Sequence, residues 1–168
     1  MLLFLLGSLN VWGEEVTDAL TASDFTATST TYSDFSNVAG SSSDAIYAGN
    51  SAKDQSGNIQ LRSKNSSGIV STTSGGKLKS VKITVGTGTN TIDVYGSNTA
   101  YTSAADLYGN NKGTKIGSVS ATGTVTVPNE DEYAYVGIRS SSNALYLSKV
   151  EITWEVSGDD PGTGETAV

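Results

Sequence analysis

The chain has no cysteine and no histidine, and only two prolines and two arginines among its 168 residues. Each shortage removes a class of chemistry. Without cysteine there is no thiolate nucleophile, no iron–sulfur cluster, no disulfide and no thiol to carry a lipoprotein's lipid. Without histidine the commonest acid–base group near neutral pH and the commonest zinc ligand are gone, and a Ser–His dyad cannot be built. Charge is scarce as well. Charged residues make up 16% of the chain, and 17 acids against 10 bases leave a net charge of -7. A large cationic surface for nucleic-acid phosphates is therefore excluded.

What fills the chain instead is serine, threonine and 19 glycines, all poor helix formers. The apolar residues recur with period two. In 149–156, Val150, Ile152, Trp154 and Val156 face one way and Lys149, Glu151, Thr153 and Glu155 the other, the pattern of a half-buried strand. The same alternation marks 77–85 (Val81, Ile83, Val85), 90–95 (Ile92, Val94), 123–127 (Val125, Val127, closed by Pro128) and 133–139 (Ala134, Val136, Ile138). Weaker strands are expected at 24–30, 44–48, 58–63, 68–72, 114–119 and 143–148. A helical turn is expected only within 100–108. Turn-forming clusters such as Ser74-Gly75-Gly76 and Gly109-Asn110-Asn111 separate these runs. The pattern predicts an all-β, antiparallel, jelly-roll-like β-sandwich of about nine to eleven short strands.

The two ends differ from this body. Residues 2–6, Leu-Leu-Phe-Leu-Leu, open an apolar stretch that runs to Trp12 and meets Glu14 and Glu15. Residues 1–13 are read as a secretory leader lacking its basic start, with a first β-strand or a disordered tail as the alternative. The stretch is too short to span a bilayer, which takes about twenty residues. Residues 157–168, rich in Gly, Asp and Thr around Pro161, read as a flexible tail or linker. The expected domain is 14–156, secreted or at the cell surface.

Both arginines stand in one repeated pattern. Residues 59–71 run Ile-Gln-Leu-Arg62-Ser63, a polar turn, then a strand, and 136–148 run Val-Gly-Ile-Arg139-Ser140, a polar turn, then a strand. Each is expected to be a β-hairpin, and the two to be neighbours or counterparts. With these pieces, Asp93-Val94-Tyr95-Gly96-Ser97, Tyr101 to Tyr108 and Ile152-Thr153-Trp154, the chain resembles a β-sandwich module of secreted gut Bacteroidetes proteins. That module is found appended to nucleases, other extracellular enzymes and surface proteins, or nearly alone. The resemblance spans about 24–156 and implies fold and export. It carries no site residues.

Catalysis finds little support. A Ser–Lys pair needs a desolvated lysine, but Lys79 and Lys82 sit in one strand, Lys64 in a turn and Lys149 on an outward face, and none reads as buried. Glu130, Asp131 and Glu132 read as a solvated turn, and Glu151 and Glu155 as a soluble sheet face. Binding fits better. Eight tyrosines outnumber the other aromatics, and such rings give large contact area with a polar handle. Arg62, Tyr95, Tyr101, Tyr108 and Arg139 are the expected ligand residues, for a glycan or surface polymer. The structural alternative has each arginine clamping a loop carboxylate such as Asp93 or Asp106. Trp154 is expected in the core. No cofactor is expected. A structural calcium ion is allowed for, with oxygens from Asp18, Asp24, Asp34, Asp44, Asp54 or Asp106, although no EF-hand spacing occurs. The expected function is a non-catalytic binding module, and the alternative is a structural or adhesive domain, or spacer, without a small-ligand site.

Overall fold

The computed structural model describes residues 13–158. The proposed leader and tail fall outside the described residues, apart from Gly13, Ser157 and Gly158. Eleven strands follow one another: β1 (Glu14–Leu20), β2 (Ser33–Ala39), β3 (Ile46–Lys53), β4 (Ile59–Leu61), β5 (Gly68–Thr73), β6 (Lys77–Thr87), β7 (Ile92–Ser97), β8 (Thr114–Val119), β9 (Gly123–Thr126), β10 (Tyr135–Ser140) and β11 (Leu145–Val156). Two short 3-10 segments, Ala22–Asp24 and Ala104–Tyr108, interrupt them. All strand pairs among the described residues are antiparallel. No helix among them is long and apolar enough to cross a membrane.

The strands form one path, β8-β7-β10-β5-β3-β4-β11-β6-β9, with β2 added to β3 and β1 added to β11. β3 serves two layers, pairing β5 through Ile46–Asn50 and β4 through Ala52 and Lys53. The two ends of the path, β8 and β9, lie against each other, so the wall is nearly closed. The all-β antiparallel architecture stands as expected, as one nearly closed sheet continuous through β3. Inside sit Ile59, Leu61, Ile69, Leu78, Ile83, Ile92, Ile138, Val150, Ile152 and Trp154, each without solvent exposure. They come from the apolar phases of strands in both faces, as period two requires.

Two strands hide their periodicity. β11 changes phase midway. Leu145 and Leu147 are buried on odd positions and Val150, Ile152 and Trp154 on even ones, because a register shift falls between Leu147 and Lys149. The expected runs 143–148 and 149–156 are therefore one strand. β2 is irregular between Phe35 and Val38, where Asn37 takes a φ of 58°.

β1 buries an acid. Asp18 faces inward between Val16 and Leu20 and has no exposure. Its Oδ1 accepts the backbone N–H groups of Ser42 (2.8 Å) and Ser43 (2.9 Å), and its Oδ2 accepts the hydroxyls of Ser43 and Tyr47, both at 2.6 Å. Trp154 Nε1–H donates to Tyr47 Oη at 3.0 Å. Burial pushes the Asp18 carboxyl up, but the Ser43, Tyr47 and Ser42 hydrogen bonds outweigh it, and the net shift is downward from 3.8. Trp154 is a core residue as expected, and its indole N–H has the partner a buried indole needs.

The two Arg-Ser segments are not hairpins. β4 pairs with β3 and β11, and β5 with β3 and β10, so the chain crosses from one face to the other between β4 and β5. It crosses back between β10 and β11. A strand–polar turn–strand sequence is common to hairpins and such arches, because each puts an apolar residue on both sides of a polar connection. The two arches are neighbours, and they nest. Ile69 lies opposite Ile138 and Leu61 opposite Leu145. A side chain on Gly68 would bring its Cβ to 2.8 Å from the Ile138 carbonyl.

Candidate functional site

The first arch builds a cleft. Ile59 and Leu61 of β4 point into the core, so Gln60 and then Arg62 point out. Tyr146 of β11 lies opposite Gln60. Tyr32, just before β2, completes the group, with the Arg62 guanidinium 3.9 Å from its ring centroid, a favourable cation–aromatic placement. The arch closes at Lys64–Ser67, where Ser67 N–H donates to the Lys64 carbonyl and Asn65 and Ser66 have φ of 55° and 59°. Two successive positive φ values define the primed turn that asparagine favours. The cleft encloses about 370 Å3 and is bordered by Tyr32, Gln60, Arg62 and Lys64 on one side and Asn143 of the second arch on the other. That volume suits a small ligand group.

Three polar atoms here lack a partner. Tyr32 Oη, Gln60 Oε1 and Arg62 Nε are each buried without a hydrogen bond among the described residues. Burial holds the Tyr32 hydroxyl above its ordinary value, against the opposing pull of the Arg62 cation and the Gln60 amide. The backbone around Arg62 is, in contrast, fixed. Its N–H donates to Ser67 Oγ at 3.2 Å, and the Tyr108 hydroxyl donates to the Ser67 carbonyl at 2.8 Å with the Arg62 carbonyl 3.2 Å away.

At the second arch the turn Ser141–Asn143 is exposed, but Arg139 at its start is packed by another segment. The segment 101–108 lies over the outer side of β7, β10 and β5, where Ala48, Val70, Tyr95, Tyr101 and Leu107 form a small second core. Gly137 makes room for it, since a Cβ there would stand 2.4 Å from Leu107 Cδ2. Arg139 Nη1 donates to the Leu107 carbonyl at 2.7 Å, and its guanidinium lies 4.8 Å from the Tyr108 ring and 5.8 Å from the Tyr95 ring. Tyr101 donates to the Lys112 carbonyl at 2.7 Å. Burial first, then the Asp106 charge, pushes its hydroxyl well above the ordinary tyrosine range.

The five residues expected to bind thus gather in one neighbourhood, but not on one surface. Tyr95 and Tyr101 are 4% and 2% exposed, so neither ring offers a face to a ligand. The outward phase of β7 is no outside, because a segment the strand pattern does not register packs on it. Tyr108 links the two arches and Arg139 is tied inward, which leaves Arg62 on the cleft. Neither arginine clamps an acid among the described residues. Asp93 pairs with Lys115 at 2.7 Å and accepts Ser118 Oγ, while Asp106 accepts the Thr102 N–H and hydroxyl. Tyr32 and Gln60 escaped the sequence reading. The one available signal was that Gln60 and Arg62 share a strand phase.

Three of the other acids are occupied locally. Asp54 accepts from Ser56 and Asn58, Asp24 from Thr21, and Asp34 from Asn50. Among the described residues no group of three or more acids is placed to hold a metal ion. Lys79 and Lys82 meet Glu155 and Glu151 across the β6–β11 pair, and Lys149 also meets Glu151.

No family model and no curated protein matches the chain. Among solved structures, it is similar to a family two carbohydrate esterase from Cellvibrio japonicus, at 14% identity and a TM-score of 0.39, over 84% of this chain and 34% of that one. The chain spans about a third of that enzyme's length, and a likeness of this strength carries no argument about activity.

Proposed function

We propose that this domain is a non-catalytic module that binds carbohydrate or a surface polymer outside the cell, with the Tyr32–Gln60–Arg62 cleft as its ligand site. The observation that carries the reading is one cleft bordered by Tyr32, Gln60, Arg62, Lys64 and Asn143, in which the Arg62 guanidinium rests on the Tyr32 ring and enters no ion pair among the described residues. An aromatic ring, amides and two cations on one border suit a ligand dense in hydroxyl groups, which both donate and accept. The absence of histidine and cysteine and the local commitment of the acids favour binding over catalysis. Export is inferred from the leader-like residues 1–13 and from the resemblance to secreted modules.

The test is a titration of the full chain with neutral and acidic oligosaccharides, followed by NMR at the Gln60 side-chain amide and the Tyr32 ring. Saturable shifts confined to the cleft are expected. Resonances that stay unmoved by every sugar would leave the structural or spacer role in place.

A further inference from the structure

Resting on the reading of this cleft as the ligand site, we infer that the bound sugar carries an anionic group, a uronic carboxylate or a sulfate ester, and that Arg62 and Lys64 receive it. The cleft is bordered by these two cations and by no acid. Four other clefts each include an acid: Glu155 beside Lys77, Asp34, Glu132 beside Lys77, and Asp54 beside Lys53. The ion pairs among the described residues use Lys77, Lys79, Lys82, Lys115 and Lys149, and neither Arg62 nor Lys64. In a chain of net charge -7, acids are plentiful, yet none among the described residues pairs with these two cations.

The geometry suits an oxyanion. A guanidinium presents parallel N–H donors that match the two oxygens of a carboxylate or sulfate. One face of the Arg62 group rests on Tyr32, and its backbone is held on both sides by Ser67 and Tyr108. The donor is therefore positioned before a ligand arrives, which lowers the ordering cost of binding. Lys64, two residues on at the start of the primed turn, adds a second charge on the same border. Tyr32, Gln60 and Asn143 on the same border offer a ring and amide groups to the rest of the sugar. The protein's overall negative charge repels anionic polymers at long range, so recognition is a local, short-range event.

The experiment titrates the full chain with galacturonate, glucuronate and a sulfated monosaccharide. The methyl ester of galacturonate, of nearly the same shape without the charge, serves as the neutral arm. The expected result is shifts at Gln60 and Tyr32 with every anionic sugar at concentrations up to about 50 mM, in the millimolar affinity range of a single charged contact. The methyl ester should bind about tenfold or more weakly. Lys64→Gln, on an exposed turn, should weaken the anionic sugars several-fold and leave the ester unchanged, while Lys53→Gln changes neither. Equal binding of galacturonate and its ester overturns the anionic assignment and leaves the binding module intact. Failure of all the sugars, charged and neutral, overturns both.

Discussion

The two arginines start from the same local sequence, Arg-Ser at the end of a strand that leaves one face for the other, and finish in opposite circumstances. Arg139 is drawn under the 101–108 segment, donates to the Leu107 carbonyl and lies between two tyrosine rings. Arg62 has one ring beneath it, a held backbone and an open cleft in front. Covering makes the first a structural group, because its charge is spent on a backbone carbonyl and ring faces. Both side chains are half-buried and Nε is without a partner in each, but only the Arg139 guanidinium makes a hydrogen bond among the described residues, so the difference lies in that one bond and the second ring. The same motif can therefore be tied down in one place and left without a guanidinium hydrogen bond in another, and what decides is the neighbouring segment.

That contrast can be broken in several ways. The largest effect sets the scale from outside both arches. Asp18→Ala strands the Tyr47 hydroxyl and two backbone N–H groups in the core, and should cost about 3 kcal/mol or more in urea unfolding, with the cleft's sugar response retained in the folded fraction. The same group predicts acid sensitivity. The Asp18 carboxyl in the folded state sits below 3.8. Its contribution is full above the unfolded value and is lost as pH falls through the folded one. Wild-type stability should thus drop below about pH 4, and Asp18→Asn should flatten that drop.

Next in size, Arg139→Ala removes a charge-assisted hydrogen bond and two ring contacts, and should cost about 2 kcal/mol. Hydrogen exchange should quicken first in 101–108. A smaller effect belongs to the residue that ties the arches together. Tyr108→Phe deletes the hydroxyl that reaches Ser67 and Arg62, and should cost about 1 kcal/mol while weakening the cleft's response. If that variant melts normally and binds normally, the arches are independent and the shared hinge at Tyr108 has no role.

Much of the fold was legible because it obeys one rule. Wherever a strand keeps its phase, as at Val81 and Ile83 or Val150, Ile152 and Trp154, alternation located it. The failures have local causes. β1 was masked by an acid at an inward position, β2 by the irregularity at Asn37, and β11 was cut in two by a change of phase. The segment expected as a strand at 24–30 is largely irregular, following the 3-10 turn at Ala22–Asp24. The site was legible only in part. Arg62 and Arg139 stood out as the sole arginines, but a strand's outward phase says nothing of what covers it. So Tyr95 looked available and is buried, and Tyr32, in a segment without periodicity, carried no mark at all.

The account turns on Arg62 being free to bind, and the most direct measurement takes melting and uronate titration of Arg62→Ala in the same samples, beside Arg139→Ala. Arg62→Ala should keep its stability to within about 1 kcal/mol of wild type, the value of an exposed cation–ring contact, and lose its response to galacturonate. A loss of stability as large as that of Arg139→Ala, with the galacturonate response undiminished, would contradict the distinction between the two arches and the function drawn from it.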